Sequence, residues 1–348
     1  MPRTLSLPRP DDLHVHFRDG AMLRAVVPFT AHVFARAIVM PNLVPPVVTT
    51  ADARAYRERI LAALPAGEGA RFTPLMTAYL TAATDPHDLA RGHGEGVFTA
   101  AKLYPAHATT NSAAGVGDVR AIYPVLERMQ AIDMVLCIHG EVTRPEVDVF
   151  DREAVFVDEV LAPLRRDFPE LRIVLEHVTS AQAVAFVEAA DDRLAATITP
   201  QHLMVDRNAM LVGGIRPHLY CLPILKTRAD RDAIRRVVAA GSPRFFLGTD
   251  SAPHARHTKE NACGCAGVFS APVALEAYAT ALDEMGCLDR LPDFASRFGA
   301  RFYGLAPSTE TITLVEEPWT PPESFPVADE VGSVRSFLAG ETVRWRLA

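Results

Sequence analysis

The chain has 348 residues, 49% of them hydrophobic and 22% charged, with a net charge of −7 and an isoelectric point near 6.0. That length fits one large α/β barrel or two ordinary domains around a sizeable core. An acidic balance with 7% aromatic residues and no basic run excludes nucleic acid or an anionic membrane as the main partner.

In chain order, short apolar runs predict strands at 12–17, 36–41, 73–80, 98–104, 133–139, 172–178, 194–199 and 244–249. Several are almost continuously apolar, as parallel strands covered on both faces require. Helical spacing marks 51–63, 118–131, 152–166, 180–190 and 229–240. This alternation predicts an α/β fold, a (β/α)8 TIM barrel formed by one domain over 1–348. Met1-Pro2-Arg3-Thr4 has no signal-peptide stretch and no segment reaches membrane-span length. The five cysteines are few, odd in number and scattered, which suits a reducing cytoplasm better than a disulfide framework. Cys263-Gly-Cys265 lacks zinc-knuckle spacing and reads as a tight glycine loop.

In such a barrel the chemistry sits at the C-terminal ends of the strands. Those ends carry His14, His16 and Arg18, then Asn42, Lys102, His139, His177 and Asp250; the third and seventh strands offer no ligand. Alternation along an extended strand turns His14, His16 and Arg18 to one face. Any one of these histidines could be a hydrogen-bonded core residue, but their convergence on one barrel end implies a metal site. Four histidines and an aspartate over-supply a single catalytic zinc, which takes three protein ligands and one water. Two metals fit better, with His14, His16 and Asp250 on one and His139 and His177 on the other. A pair about 3.5–4 Å apart needs an anion between them, such as a bridging hydroxide. Lys102 cannot stay an ammonium beside two dications. Either it lies outside the site as a strand-end or substrate-binding cation, or it is a carbamate whose two oxygens bridge the metals.

Several motifs carry a resemblance to a known family. They are Asp12-x-His14-x-His16-x-Arg18-x-Gly20, Met40-Pro41-Asn42, Ala101-Lys102-Leu103-Tyr104-Pro105, Ile138-His139-Gly140-Glu141, Glu176-His177 and Gly248-Thr249-Asp250-Ser251-Ala252-Pro253-His254. With Ala196-Thr197-Ile198-Thr199-Pro200-Gln201-His202-Leu203, Gly214-x-Arg216-Pro217 and the Cys-Gly-Cys-Ala-Gly loop, they resemble the amidohydrolase superfamily and, within it, class II dihydroorotases of the shorter bacterial type. The likeness is least clear from about 308 to 332, a region of peripheral packing.

The resemblance implies two Zn2+ per subunit bridged by carboxylated Lys102 and a hydroxide, with the ligand division given above. It implies reversible cyclisation of N-carbamoyl-L-aspartate to L-dihydroorotate, the third step of pyrimidine biosynthesis, with Asp250 as catalytic proton shuttle. It assigns the unreactive carboxylate to Arg18, Asn42 and His254, the ring edge and the carboxylate to backbone groups of Leu222 and Ala266, and a substrate contact to His139. An arginine can grip a carboxylate with two parallel hydrogen bonds; the competing role for Arg18 is an ion pair with Asp19 or Asp12. The loop 107–115 reads as a lid whose Thr109 and Thr110 cover substrate, or as an ordinary solvated loop. A homodimer is likewise implied by resemblance alone. Competing functions are a hydantoinase or allantoinase sharing the ligands, and a non-catalytic barrel scaffold.

Overall fold

The structure, a computed structural model, describes residues 2–67, 69 and 71–348. An N-terminal strand β1 (Thr4–Pro8) precedes eight others: β2 (Asp11–Val15), β3 (Arg36–Val39), β4 (Thr73–Tyr79), β5 (Phe98–Leu103), β6 (Val135–Ile138), β7 (Ile173–Leu175), β8 (Leu194–Ile198) and β9 (Phe245–Leu247). These eight form one sheet in the order β2 to β9, every neighbouring pair parallel. The seam between β2 and β9 is joined just past the strands, where Asp250 N–H donates to His14 O (2.8 Å) and His16 N–H to Ser251 O (3.0 Å). The architecture is a (β/α)8 barrel, and its eight strands fall on the eight apolar runs.

Alternation divides the strand residues between two cores. Ala101, Leu103, Leu136, Ile138, Ile173, Leu175, Leu194 and Ala196 face outward into the layer beneath the helices. Ala100, Val135, Cys137, Val174, Ala195 and Phe246 face inward and fill the lower barrel with Leu13, Ile38, Met40 and Tyr303. The helix Phe298–Phe302 closes that lower end. It approaches so closely that a Cβ on Gly299 would lie 1.9 Å from Leu13 Cδ1, so only glycine fits. Continuing the inward parity by two residues places Lys102 above Ala100, His139 above Cys137, Glu176 above Val174 and Thr197 above Ala195.

The predicted helices also form, and two differ in kind: the one over 118–131 opens with a 3-10 turn at Val119–Ile122 before the α-helix Tyr123–Ala131. Between Arg152 and Asp167 the chain runs α, then π at Val157–Leu161, then α again. Pro163 has no N–H to donate to the preceding turn, which accounts for the widening there.

At the edge of the barrel, β1 pairs antiparallel with β10 (Thr311–Val315), which also pairs with β13 (Arg346–Leu347). Between them, β11 (Ser324–Val327) and β12 (Gly332–Arg335) form a hairpin, and Phe325 meets Phe29 of the first helix at 4.6 Å between ring centroids. The poorly matching stretch 308–332 is therefore peripheral. Among the described residues no helix is long and apolar enough to cross a membrane.

Candidate metal centre

Lys102 and His139 reach the upper barrel by strand parity, and three site residues do so by leaving it. Between Asp12 and Val15 the β2–β3 register shifts, which lets Leu13 and His14 both face inward. His177 would point outward in an extended continuation of β7, but its φ of 42° turns it into the barrel beside Glu176. Asp250 (φ 44°) and Arg18 (φ 60°) are also left-handed. Such values are uncommon outside glycine and cluster where a chain is bent to aim a side chain. β2 ends at Val15, so strand alternation does not place Arg18; this backbone bend does.

One cavity is lined by His14, His16, Arg18, Asn42, Tyr104, Thr109, Thr110, His139, His177, Leu222, Asp250, Ala252, Ala266 and Gly267. Lys102 lies beneath it, fully buried. His254 is not part of the lining. Gly248 underlies the site, and a Cβ there would meet Thr197 at 2.8 Å and His14 Cβ at 3.0 Å.

The protein fixes the imidazole orientations from behind. His14 Nδ1 is 2.8 Å from Glu176 Oε2, and His16 Nδ1 is 2.8 Å from Asn42 Oδ1. With those nitrogens donating, both Nε2 atoms present lone pairs. They face each other at 3.3 Å, with Asp250 Oδ1 3.4 Å from one and 3.1 Å from the other. Three buried acceptors converging this closely repel one another unless a proton or cation sits among them. Burial lowers His16 to about 4. Burial would raise Asp250, yet when a proton sits on the facing Nε2 atoms, His14 and His16 hold its carboxyl well below the usual range.

The second cluster is less tied. His139 Nε2 meets Glu141 Oε2 at 2.8 Å, leaving Nδ1 for a ligand. The His139 and His177 rings stand 4.8 Å apart, and His177 is 5.1 Å from His14. His177 Nδ1, Lys102 Nζ and Glu141 Oε1 are buried without hydrogen-bond partners. Burial drives the Lys102 ammonium below its ordinary range, with Glu176 pulling the other way. Glu176 itself stays below the normal carboxylate range despite burial, because His14 and Lys102 face it. This donor set, two imidazoles beside a reluctant ammonium and orphaned polar atoms, fits a second metal.

Arg18 Nε donates to Pro253 O (3.2 Å), and its Nη2 is 3.0 Å from His254 Nε2, which lies 2.9 Å from Ala266 O. Arg18 has no carboxylate partner among the described residues: Asp19 pairs with Arg59, and Asp12 accepts from Thr249. Burial and Arg18 push His254 down to about 2, so its imidazole is neutral. Asn42 is engaged at both ends, since its Nδ2 donates to Thr110 O (2.9 Å). The loop bearing Thr109 and Thr110 lies over the cavity, where Thr110 Oγ1 donates to Ala266 O (3.2 Å) and Asn111 Nδ2 to Asn42 O (3.0 Å).

Sequence reasoning gave no role to Glu176, Glu141 or Thr197. Thr197 Oγ1 donates to Glu176 Oε2 (2.6 Å) and accepts from His177 N–H (2.7 Å). The available signal was a carboxylate one or two residues from a ligand histidine, as in Glu176-His177 and His139-Gly-Glu141. All five cysteines are free thiols, and Gly264 (φ +56°) forms a tight turn in which Asn261 Oδ1 accepts from Cys263 and Gly264 N–H.

The amidohydrolase family model matches residues 12–314. The chain belongs to the amidohydrolase family. It is 60% identical over 344 residues to a dihydroorotase of Yersinia enterocolitica, covering 99% of this chain and 98% of that one. It also superimposes with a TM-score of 0.90 and 32% identity on a Saccharomyces cerevisiae dihydroorotase solved in complex with 5-fluoroorotic acid, covering 99% and 98% of the two chains. An L-hydantoinase (dihydropyrimidinase) from Arthrobacter aurescens shares the fold at a TM-score of 0.77 and 14% identity, over 99% of this chain and 83% of that one.

Proposed function

We propose that the chain is a dihydroorotase that interconverts N-carbamoyl-L-aspartate and L-dihydroorotate plus water, the third step of pyrimidine biosynthesis, using two zinc ions per subunit. The observation that carries this reading is a guanidinium without a carboxylate partner, Arg18, on the wall of a cavity where His14, His16 and Asp250 converge. Substrate and product both bring an unreactive carboxylate to such a group; hydantoin and allantoin do not. The full-length likeness to dihydroorotases supports the same choice, whereas the hydantoinase likeness concerns the fold alone.

His14, His16 and Asp250 would hold one zinc and His139 and His177 the other. Lys102, whose ammonium form burial disfavours, would bridge them as a carbamate, since the neutral amine is the form that captures carbon dioxide. When bound, such a pair supplies Lewis acidity to the amide carbonyl and lowers the pKa of water. Arg18 fixes the substrate's carboxylate, with Asn42 and His254 beside it, and backbone groups of Leu222 and Ala266 meet the ring edge. In the hydrolytic direction, water adds to the ring carbonyl carbon as the C–N bond breaks. Asp250 takes the water's proton on a carboxylate oxygen and delivers it to the departing nitrogen; cyclisation reverses the transfer. Thr109 and Thr110 act as a lid that excludes bulk water. In this reading the chain, 1–348, works as one barrel domain in a cytoplasmic homodimer; free thiols suit that compartment, and the dimer rests on family resemblance.

The test is turnover of L-dihydroorotate, hydantoin and allantoin by purified protein, with zinc measured before and after chelation. We expect dihydroorotate alone to react, with activity lost to the chelator and restored by zinc. Preference for hydantoin, or undiminished activity after full metal removal, overturns the reading.

A further inference from the structure

Residues 220–222 and 265–267 bring Leu222, Ala266 and Gly267 to the cavity wall, yet belong to no strand or helix. A single side chain gathers them. Lys259 is 2% exposed, and its ammonium donates to Tyr220 O (2.8 Å), Cys265 O (2.7 Å) and Gly267 O (2.8 Å). Those contacts use all three of its N–H groups. No carboxylate neutralises it among the described residues, so three carbonyl dipoles offset the cost of burying this charge.

The peptide plane turns this clamp toward the cavity. Across a trans peptide bond, a carbonyl and the following N–H point in opposite directions. With Cys265 O drawn to Lys259, the Ala266 N–H faces away from the ammonium. The flanking N–H groups are used, Cys265 on Thr258 O (3.1 Å) and Gly267 on Tyr220 O (3.0 Å), whereas that of Ala266 meets no protein acceptor among the described residues. The loop has no slack: a Cβ on Gly267 (φ +153°) would lie 2.5 Å from Ala252 O and 2.8 Å from His254 Cδ2.

We propose that Lys259 is a positioning residue for substrate recognition. It holds the 220–222 and 265–267 segments so that the free Ala266 N–H and the Leu222 backbone meet the bound carboxylated ring. This rests on the dihydroorotase reading above.

The test compares wild type, Lys259→Met and Lys259→Arg. For Lys259→Met we expect KM for L-dihydroorotate to rise about tenfold or more while kcat falls less than about threefold, the pattern of lost ground-state binding. Zinc content should stay as in wild type, and amide exchange over 260–269 should accelerate. Lys259→Arg, which keeps charge and donors, should fall between, and carries the test if the methionine variant does not fold. An unchanged KM, or a loss confined to kcat, overturns the proposal, as does unchanged exchange. If wild type does not act on dihydroorotate, the functional reading fails, and the exchange comparison still decides whether Lys259 holds the loop.

Discussion

The two halves of the centre are built differently. On the β2–β9 side, His14 and His16 are each braced from behind, by Glu176 and Asn42, and their ligand atoms lie with that of Asp250 within 4.8 Å of one another. On the β5–β7 side His139 is braced, and His177 Nδ1, Lys102 Nζ and Glu141 Oε1 have no hydrogen-bond partner among the described residues. An unpaired buried polar group costs about 1–3 kcal/mol, more if charged. The first half is therefore preorganised by hydrogen bonds, while the second keeps polar atoms that the described residues leave without hydrogen bonds.

The sharpest way to break this contrast is Lys102→Met. We expect turnover to fall on the order of 10⁴-fold or more, beyond the usual loss of a proton-transfer group. Zinc analysis should show metal lost first from the His139–His177 half. In the chelated protein the substitution removes the desolvation cost of the Lys102 ammonium and also its attraction to Glu176; because burial outweighs that attraction, the fold should gain stability at low pH. The sign follows from linkage. Burial depresses the folded-state pKa of Lys102 below 10.5, so its penalty is full at low pH and relieved as pH rises through the depressed value. Thermal melts of chelated wild type and variant should converge toward alkaline pH. A variant that keeps full zinc and activity refutes the bridging role.

Asp250→Asn probes the preorganised half. Its carboxylate is the group proposed to move the proton, and the amide keeps its shape without accepting one. We expect turnover to drop about 10³-fold with the melting temperature little changed. Wild-type kinetics in this variant would remove Asp250 from the mechanism.

Legibility in the sequence followed the physics of each half. Strand parity is a strict rule, and it carried the apolar runs, Lys102 and His139 to their places. His177 and Arg18 obey no such rule: alternation along an extended strand predicts Arg18 on the face of His14 and His16, yet both residues reach the cavity through left-handed backbone that no residue pattern announces. The register break at Asp12/Val15 is equally silent, although it lets His14 share the interior with Leu13. The bracing residues were hidden for another reason. Glu176 and Thr197 sit at inward positions on neighbouring strands, and only the pairing of those strands makes them partners. Loop contacts were least legible, since Lys259 acts on segments 39 and 6 residues away in sequence.

Thr197 is where the two halves meet, because one hydroxyl serves both. It donates to the carboxylate that braces His14 and accepts the N–H of His177, on the other side. Thr197→Val keeps nearly the same volume but removes both bonds, leaving the His177 N–H unpaired and Glu176 with one donor fewer. Residues that brace metal ligands typically contribute 10–100-fold to affinity or activity, and with His14 still bonded to Glu176 the lower end, about tenfold, is expected. Competition with a chelator should show both zinc ions weakened together, and Thr197→Ser should restore them. If only one ion is weakened, the hydroxyl belongs to one half and the halves are independent; if neither is, the brace is dispensable.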